Sequence, residues 1–313
     1  MGFVKTEILT IPERDLIGLV RKRFSIFFDS VIVLFLINFW YALSSWKLLG
    51  QGILYFSETP LFKKAKSTPF LIGFLINSLI IFSKISMERE YAEYLLEKGR
   101  QDYNLIAEDF ARTRHFVWDI EPLKIYVKDG DKILDLGCGS GRLIEILHDK
   151  KVNYICLDSS QRLIEIAKKN YPGFNFLVGE ALNLPFPENS FDKVFSIRVL
   201  PHIPSKEFQI EFLKEVKRIL KPQGVLILTC WYLYRFKFKI QFILMLKNCF
   251  LKIMGKSKLD FGDALVPWGK KVMRYYHYFT KDGLGKIAKE AGFEIKRIWA
   301  TSTDLYLIAQ KPY

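Results

Sequence analysis

A glycine-rich turn that follows a short apolar run constrains the fold of this chain more than any other feature. Residues 133–143 read ILDLGCGSGRL, and a second apolar run ends on Asp158. The glycines at 137, 139 and 141 can adopt backbone angles closed to other residues, and a ligand can approach their main chain closely. Strand, glycine turn and helix in this order predict a site for a nucleotide-like ligand. Asp158 follows at the spacing of about 20 residues that places a carboxylate on ribose hydroxyls.

Residue 142 decides which ligand this turn is expected to bind. A dinucleotide-binding turn has a third small residue at this position, so that helix and strand pack closely around a pyrophosphate. This chain has Arg142 there, and Asp135 precedes the first glycine by two residues. A carboxylate at 135 repels pyrophosphate but attracts the ammonium and sulfonium groups of S-adenosylmethionine, which the turn therefore favours over NAD. A purely structural turn is the alternative, and the two acidic residues argue against it.

The composition is that of a basic globular protein. The chain has 313 residues, half of them hydrophobic, which allows one large domain or two small ones. Its net charge of +14 favours a polyanionic partner, either nucleic acid or an anionic membrane surface. A generally lysine-rich proteome would give the same balance. The four cysteines form no CxxC pair, which predicts a reducing compartment and no structural zinc or other metal site.

Residues 1–86 form a hydrophobic N-terminal segment that differs from the rest of the chain. The ranges 30–46 and 67–83 each hold 17 uncharged residues, the lower limit of about 17 for a membrane-spanning helix. A two-helix membrane hairpin would tether a cytoplasmic protein to the cytoplasmic face of a membrane. Two alternatives stay open: an extension outside the natural protein, with translation starting at Met87, and a buried helical accessory.

Residues 87–313 alternate between strand and helix patterns. Alternation predicts an α/β domain with a doubly wound, mostly parallel, Rossmann-like sheet of seven strands, covered by helices on both faces. The closing strand pair predicts one antiparallel edge strand. Strands are expected at 132–136, 152–157, 174–178, 191–197, 224–231, 293–300 and 304–310, and helices at 88–116, 141–149, 160–170, 205–220 and 281–291.

A basic insertion at 232–262 interrupts this pattern. Its first 27 residues, 232–258, contain seven Lys or Arg and no acid. The alternation of cations and aromatics at 235–239 predicts a strand, and the later pattern predicts an amphipathic helix. Such a segment suits a phosphate backbone or an anionic membrane interface. A lid helix with a solvated basic face is the alternative.

Five segments resemble one enzyme family. Residues 133–143, Asp158, GEAL at 179–182, FDKV at 191–194 and LKPQG at 220–224 resemble the class I S-adenosylmethionine-dependent methyltransferases of type 11. The resemblance covers about 135–230. It implies a class I methyltransferase fold and S-adenosylmethionine as the cofactor, and it does not specify the substrate.

Two further segments resemble a narrower group. ARTRHFVW at 111–118, and LVPW at 265–268 followed by RYYHYF at 274–279, are similar to methyltransferases that esterify 5-carboxymethyluridine at the tRNA wobble position. With these segments the resemblance spans roughly 100–313. It implies tRNA as the substrate and a small activating zinc protein as a partner.

The resemblance also implies roles for individual residues. In the cofactor site, Asp158 and Ser159 would meet the ribose. The methionine end would be held by Asp135, Gly137, Cys138 and Gly139 with Arg114 and Tyr103 over its carboxylate, and the adenine by Glu180, Ala181 and Leu182. His202 falls where the family tends to have two histidines near the acceptor; Pro201 replaces the first. The expected substrate-binding residues are Trp118, Trp268, Arg274, Tyr275, Tyr276 and His277.

The chemistry of the implied reaction needs little from the protein beyond positioning. A carboxylate acceptor, with a reference pKa near 4, is already ionised at pH 7, so no general base is required. His202 and Arg198 are therefore expected to orient the acceptor and balance charge, unless His202 is a packing residue. Arg274, Tyr275 and Tyr276 pair a cation with rings on which RNA bases stack, unless they form an amphipathic strand with core tyrosines.

Two other functions stay open from the sequence. A membrane-associated methyltransferase of a lipid or quinone-like molecule would use the apolar residues 30–83. A cofactor-binding scaffold without enzymatic activity would share the glycine turn but perform no transfer.

Overall fold

The computed structural model describes residues 86–113, 121–232 and 239–313. The two apolar runs at 30–46 and 67–83, the side chains of Arg114 and Trp118, and the start of the basic insertion at 233–238 lie outside these ranges. Within them, no helix is both long enough and apolar enough to cross a membrane.

The described chain alternates helices and strands as the sequence predicts. Short 3₁₀ turns cover Glu121–Tyr126 and Leu200–His202. The helices are α1 (Arg89–Arg112), α2 (Ile144–Leu147), α3 (Gln161–Asn170), α4 (Lys206–Ile219), α5 (Lys239–Ile253) and α6 (Lys281–Glu290). The strands are β1 (Lys132–Leu136), β2 (Asn153–Asp158), β3 (Asn175–Val178), β4 (Phe191–Ile197), β5 (Leu220–Trp231), β6 (Asp263–Trp268), β7 (Val272–His277), β8 (Glu294–Ala300) and β9 (Asp304–Gln310).

Seven strands form one sheet in the order β3-β2-β1-β4-β5-β9-β8. β1 to β5 are parallel to one another, and β9 runs antiparallel to both β5 and β8. The doubly wound, mostly parallel seven-stranded fold is thus confirmed. The predicted antiparallel member of the closing strand pair is confirmed as well: it is β9, which lies between β5 and the edge strand β8. Burial explains the order: Leu305 to Ala309 are buried, whereas Lys296 and Arg297 of β8 are exposed.

Burial on both faces of the sheet explains why the central strands are continuous apolar runs. In β1, Leu134 and Leu136 join one hydrophobic cluster while Ile133 joins the cluster on the opposite face. Successive side chains of a strand point to opposite faces, so one short run contributes to both layers. Phe195 of β4 and Ile227 of β5 extend the second cluster.

Three elements differ from the sequence prediction. The helix expected at 141–149 is one turn, Ile144–Leu147, because Gly141 at φ +86° begins a wider turn. β5 starts at Leu220 rather than 224 and bends at Gln223, which has φ +63°. The third difference is a separate antiparallel hairpin of β6 and β7. A strand was expected there only as the alternative for residues 274–276, and none was expected at 263–268.

Helix α1 is fixed over the carboxyl edge of the sheet by a polar contact with α3. The side-chain oxygen of Asn104 accepts hydrogen bonds from the Ser160 hydroxyl at 2.8 Å and from the backbone N–H of Arg162 at 3.1 Å. Ser160 also caps α3 by accepting from the Leu163 N–H at 3.2 Å. One side chain of α1 therefore joins this helix to the strand-to-helix turn that follows β2.

Candidate functional site

A crevice opens where the strand order reverses between β1 and β4. Neighbouring crossovers from these two strands leave in opposite directions, which is the usual ligand position in a doubly wound sheet. A cavity of about 180 Å³ lies there, lined by the turns after β1, β2, β3 and β4 and by helix α1 and strand β7.

The glycine turn after β1 forms the floor of this cavity. Gly137 and Gly139 have φ of +75° and +56°, conformations that residues with a Cβ rarely adopt. A Cβ on Gly137 would lie 2.2 Å from Cγ2 of Val199, whereas a Cβ on Gly139 would only touch the Phe110 ring at 3.7 Å. Gly137 is therefore required for packing against the turn after β4, and Gly139 keeps the cavity floor open.

Asp158 joins the two turns on the β2 side. Its carboxylate accepts hydrogen bonds from the N–H of Gly139 at 2.9 Å and of Ser160 at 2.8 Å. Burial raises the pKa of Asp158, and these backbone donors oppose the rise. The carboxylate thus shapes the glycine turn and still lines the cavity, beside Ser159.

Asp135 lies under the turn rather than on the cavity wall. It is only 3% exposed, and its carboxylate accepts a hydrogen bond from the Tyr154 hydroxyl at 2.7 Å. Burial raises its pKa to about 7, opposed by the Tyr154 hydrogen bond and reinforced by the charge of Asp158. A cation bound on the turn would favour the ionised form of this carboxyl group.

The turn after β3 lines the cavity on the far side of Asp158. Glu180, Ala181 and Leu182 all line the cavity, and Glu180 is exposed. Arg100 of α1 approaches the Glu180 carboxylate at 3.5 Å. A carboxylate followed by two apolar side chains can frame a purine base between an acceptor edge and an apolar face.

Aromatic rings form the opposite part of the cavity. Tyr103 and Phe110 of α1 meet edge to face at 5.3 Å between centroids, and Trp231 stacks on Tyr276 at 5.1 Å. Burial raises the pKa of Tyr103 well above its ordinary value, so its hydroxyl keeps its proton at neutral pH. Rings of this kind suit a sulfonium centre or a planar base, because the faces of aromatic rings attract cations.

His202 is held in one tautomer at this aromatic end. Its Nδ1 lies 3.0 Å from the backbone carbonyl oxygen of Tyr275, and its Nε2 lies 3.0 Å from the Tyr103 hydroxyl. A carbonyl only accepts, so Nδ1 must donate, and in the neutral imidazole Nε2 accepts from Tyr103. His202 is thus oriented from both sides beside the cavity.

Two arginines reach the cavity from different elements. Arg198, at φ +62°, makes a two-pronged ion pair with Asp304, with both N···O distances at 2.6 Å. Arg274 of β7 is 3% exposed and donates from Nη1 to the Tyr103 hydroxyl at 3.3 Å. The Arg198 side chain therefore has its charge balanced inside the protein, and Arg274 contributes a second buried cation.

Most of the residues singled out in the sequence meet in this one cavity. Asp135 lies below the floor, Trp268 lies beyond Arg274 with its ring 4.7 Å from the guanidinium, and His277 bonds to Asp263 at 2.7 Å away from the lining. The predicted site residues that do line the cavity are Tyr103, Gly137, Cys138, Gly139, Asp158, Ser159, Glu180, Ala181, Leu182, Arg198, His202, Arg274, Tyr275 and Tyr276.

Residues 274–277 belong to strand β7, and their tyrosines are buried instead of forming an open surface on which bases could stack. Tyr275 and Tyr276 are 5% and 2% exposed, and the Tyr275 hydroxyl donates to buried Asp263 at 2.8 Å. Both tyrosines are thus core residues whose edges reach the cavity. Their substrate-binding role stays a prediction, as do the roles of Arg114 and Trp118, which lie outside the described residues.

Sequence reasoning missed several lining residues. Phe110 and Trp231 are examples, and the same face of α1 contributes Leu95, Leu96, Gly99 and Arg100. The signal for that face was present, because Leu95, Gly99 and Tyr103 recur every four residues. Nothing local indicates that Trp231, at the end of β5, turns toward Tyr276.

Comparisons with known proteins identify the same region. Residues 134–228 match the family described as "Methyltransferase domain". Among solved structures, the chain resembles a SAM-dependent methyltransferase from Methanosarcina mazei with a TM-score of 0.53 and 25% identity, covering 63% of this chain and 98% of that one. The fold is therefore the class I methyltransferase fold, and the family match includes the glycine turn.

Curated relatives include enzymes named for tRNA. The chain is 34% identical over 141 residues to the tRNA (carboxymethyluridine(34)-5-O)-methyltransferase of Saccharomyces cerevisiae, covering 45% of this chain and 50% of that protein. It is 36% identical over 145 residues to tRNA (carboxymethyluridine(34)-5-O)-methyltransferase ALKBH8 of Mus musculus, covering 46% and 21%. The chain thus spans half or less of the length of these two relatives.

Proposed function

We propose that this class I S-adenosylmethionine-dependent methyltransferase acts on tRNA and esterifies the carboxymethyl group of a modified wobble uridine. The observation that carries the proposal is the charge arrangement of a single cavity. Asp158 lines the glycine-turn end, with Asp135 buried beneath the turn, and His202 and Arg274 line the aromatic end. A cationic cofactor and an anionic acceptor suit these two ends.

The residues of the glycine-turn end fit the cofactor. Asp158 offers a carboxylate beside the open floor at Gly139, which suits vicinal ribose hydroxyls. Asp135 supplies negative charge beneath the turn for the methionine ammonium. Glu180, Ala181 and Leu182 would enclose the adenine. The donor set thus matches a nucleoside joined to a cationic amino acid.

When bound, the cofactor supplies a methyl group on a sulfonium: the acceptor oxygen bonds to the methyl carbon, the sulfur–methyl bond breaks and sulfur keeps its electron pair. The protein has no proton to move in this exchange, because the acceptor is a carboxylate and the product is a neutral ester. Its task is to align the acceptor oxygen, the methyl carbon and the sulfur at near-attack distance.

The aromatic end supplies this alignment. His202 is fixed between Tyr103 and the Tyr275 carbonyl, so its ring forms a firm wall rather than a mobile base. Tyr103 and Phe110 cover the cavity from α1 and would exclude water from the reacting atoms. Exclusion of water strengthens the attraction between charged groups inside such a site.

The substrate class is supported by two independent features. Two relatives named for carboxymethyluridine(34) match 46% and 45% of this chain, and the net charge of +14 favours a polyanionic partner. The resemblance of residues 111–118 and 265–279 to the same group supports it further, and a small activating protein belongs to the proposal. The lipid or quinone alternative depended on residues 30–83 and on an apolar lid formed by the insertion, and it gains no support from the described residues.

The test is methyl transfer to tRNA from cells that lack this gene. The full chain is incubated with methyl-labelled S-adenosylmethionine and total tRNA. The assay uses two preparations of the protein: the purified chain alone, and the chain isolated from its source cells together with any bound partner. We expect label on wobble uridine that is released by mild base, as an ester requires. tRNA from cells that retain the gene is the control and should accept less label. Absence of label from every tRNA fraction, or label stable to base, would contradict the proposal.

A further inference from the structure

Arg274 is a buried cation whose charge is not balanced by any carboxylate among residues 86–113, 121–232 and 239–313. Its side chain is 3% exposed, and its only hydrogen-bond partner there is the Tyr103 hydroxyl, at 3.3 Å from Nη1. The Nε–H group is buried and has no hydrogen-bond partner in the described chain. Burying a charge in this way is costly unless an ion of opposite sign occupies the site.

Arg198 provides an internal comparison. Both arginines line the same cavity, but Arg198 is matched by Asp304 through two N···O contacts of 2.6 Å. The protein therefore provides a carboxylate for the charge of Arg198, whereas the guanidinium of Arg274 contacts aromatic rings. The guanidinium carbon of Arg274 lies 4.7 Å from the Trp268 ring centre and 5.2 Å from that of Tyr276.

Aromatic faces position a guanidinium but do not replace a counter-ion. A cation–π contact stabilises a guanidinium by less than the burial of an unpaired charge costs. Stacking on a ring also holds the guanidinium plane, which leaves its N–H edges to bind a planar anion with two oxygens. The arrangement around Arg274 is thus that of a carboxylate receptor.

We infer that Arg274 binds the carboxylate of the methyl acceptor and makes the site select acids over neutral or cationic acceptors. This inference rests on the proposed function and deepens it, because it assigns the recognition of the reacting group to one residue. Arg274 was expected from the sequence to contact RNA bases or phosphates. Its burial assigns it instead to the group that enters the cavity.

The position of Arg274 favours the acceptor over the other available anions. It bonds to Tyr103, which also bonds to His202, so it belongs to the aromatic end rather than to the glycine turn. A backbone phosphate has a sugar on each side, whereas a carboxymethyl group is a short arm that can reach a buried guanidinium. The carboxylate of the cofactor is the remaining alternative, and the experiment separates it.

Arg274 would also keep the acceptor in its reactive state. A guanidinium is always charged and favours the ionised form of a neighbouring carboxyl group. The acceptor oxygen that stays free of the guanidinium then bonds to the methyl carbon, and the positive charge of the sulfonium and the negative charge of the carboxylate disappear together. No additional reactant and no proton transfer are needed.

The experiment is calorimetric titration of the full chain, saturated with S-adenosylhomocysteine, with three nucleosides. 5-Carboxymethyluridine carries the carboxylate, its methyl ester is the neutral analogue, and uridine lacks the group. For the wild type we expect the acid to bind at least about 10-fold more tightly than the ester, as loss of one buried charged hydrogen bond predicts. In Arg274→Met we expect this ratio to fall to about 1.

Two variants control the result. Arg274→Lys keeps the charge but not the planar fork, so an intermediate ratio is expected. Arg297→Met removes an exposed cation on the edge strand β8 and should leave the ratio unchanged. Unchanged affinity of Arg274→Met for S-adenosylhomocysteine shows that the variant is folded; if it does not fold, Arg274→Lys decides.

The outcomes separate this inference from the proposed function. Loss of S-adenosylhomocysteine affinity in folded Arg274→Met or Arg274→Lys, with the acid-to-ester ratio intact, would assign Arg274 to the cofactor and overturn the inference. A wild type that does not prefer the acid would overturn it as well. Acid selectivity that depends on Arg274, with no methyl transfer to tRNA, would support the inference and contradict the proposed substrate. Methyl transfer to tRNA, with an acid-to-ester affinity ratio that does not change in the Arg274 variants, would support the proposed function and contradict the inference.

Discussion

The Nδ1 atom of His202 lies 3.0 Å from the backbone carbonyl oxygen of Tyr275, and this contact fixes the hydrogen on Nδ1. The Nε2 atom is then the acceptor for the Tyr103 hydroxyl at 3.0 Å, and Arg274 donates to the same hydroxyl. A short chain of hydrogen bonds therefore connects β7, α1 and the turn after β4. The imidazole is positioned by neighbours far away in sequence rather than by its own segment.

We predict that Tyr103→Phe reduces kcat for methyl transfer by about 10-fold, the effect of about one lost hydrogen bond. His202 keeps its hydrogen bond to the Tyr275 carbonyl but loses the one from Tyr103. Its ring is then held less firmly and positions the methyl acceptor less well. The resemblance implied that Tyr103 covers the cofactor carboxylate. Because its hydroxyl bonds to His202 and Arg274 at the aromatic end, we expect instead that S-adenosylhomocysteine affinity changes less than about 2-fold. Tyr94→Phe, on the exposed side of α1, is the matched control. An unchanged kcat in Tyr103→Phe would show that this hydroxyl positions nothing.

The ion pair of Arg198 and Asp304 should contribute to stability through the cost of breaking it. The side chains are 15% and 5% exposed, so Asp304→Ala removes the carboxylate that faces a largely buried guanidinium. We predict a loss of about 3 kcal/mol in the free energy of unfolding, measured by urea denaturation. The double variant Arg198→Met/Asp304→Leu should recover most of this loss, because it removes both charges. Equal losses in the single and double variants would contradict the explanation.

Gly137 is predicted to tolerate no side chain. In Gly137→Ala the new Cβ would meet Val199 at 2.2 Å in a backbone conformation of φ +75°. We expect a destabilisation of about 3 kcal/mol, from steric overlap and left-handed strain together. Gly130→Ala isolates the strain, because Gly130 has φ +88° with no atom within 4 Å of the added Cβ; its expected cost is about 1 kcal/mol. Similar losses in both variants would show that Val199 gives way.

Asp158 is predicted to act on cofactor affinity in two ways, by holding the glycine turn and by contacting the ribose. Asp158→Ala removes the acceptor for the Gly139 and Ser160 N–H groups as well as the expected ribose contact. We expect S-adenosylhomocysteine binding to weaken by about 1–3 kcal/mol, measured by calorimetry. Asp158→Asn keeps one acceptor oxygen and should lose less. Affinity equal to that of the wild type in the alanine variant would mean that another residue meets the ribose.

The sequence predicted the parts of the molecule that depend on local pattern. β1 and β2 are short, mostly apolar runs between turns because both faces of the sheet are buried, and such runs are visible in the sequence. The glycine turn and Asp158 were equally readable, since backbone freedom and spacing define them. These features are sufficient for the fold and for the cofactor end of the cavity.

The remainder depends on contacts between distant segments. Arg274 is exposed or buried according to how β7 packs against α1, and its partner Tyr103 lies 171 positions earlier. The β6–β7 hairpin contains Asp263, Pro267 and Trp268, an unusual strand composition, and it is stable because Tyr275 and His277 bond to Asp263. No local pattern encodes these pairings, so the acceptor end could not be built from the sequence.

Asp135 is predicted to give folding stability a distinctive pH dependence. Its carboxyl pKa is raised by burial to about 7 in the folded protein, against about 4 in an unfolded chain. Between these values the folded state binds a proton that the unfolded state has released. The contribution of Asp135 to the free energy of unfolding is therefore largest below pH 4 and is lost as the pH rises through 7. Urea denaturation of the wild type and Asp135→Asn at pH 5 to 8 should show this loss in the wild type alone.

The same group should make cofactor binding pH-dependent in the opposite direction. The ammonium of S-adenosylhomocysteine favours the ionised Asp135 carboxylate, so binding releases its proton and affinity rises with pH from about 6 to 8. Tyr154→Phe removes a hydrogen bond that lowers this pKa and should move the rise to higher pH. Asp135→Asn has no proton to release, so its affinity should be flat over this range and weaker than that of the wild type at pH 8. Calorimetry in two buffers of different ionisation enthalpy measures the released proton directly, and the same slope in wild type and Asp135→Asn would assign it to another group.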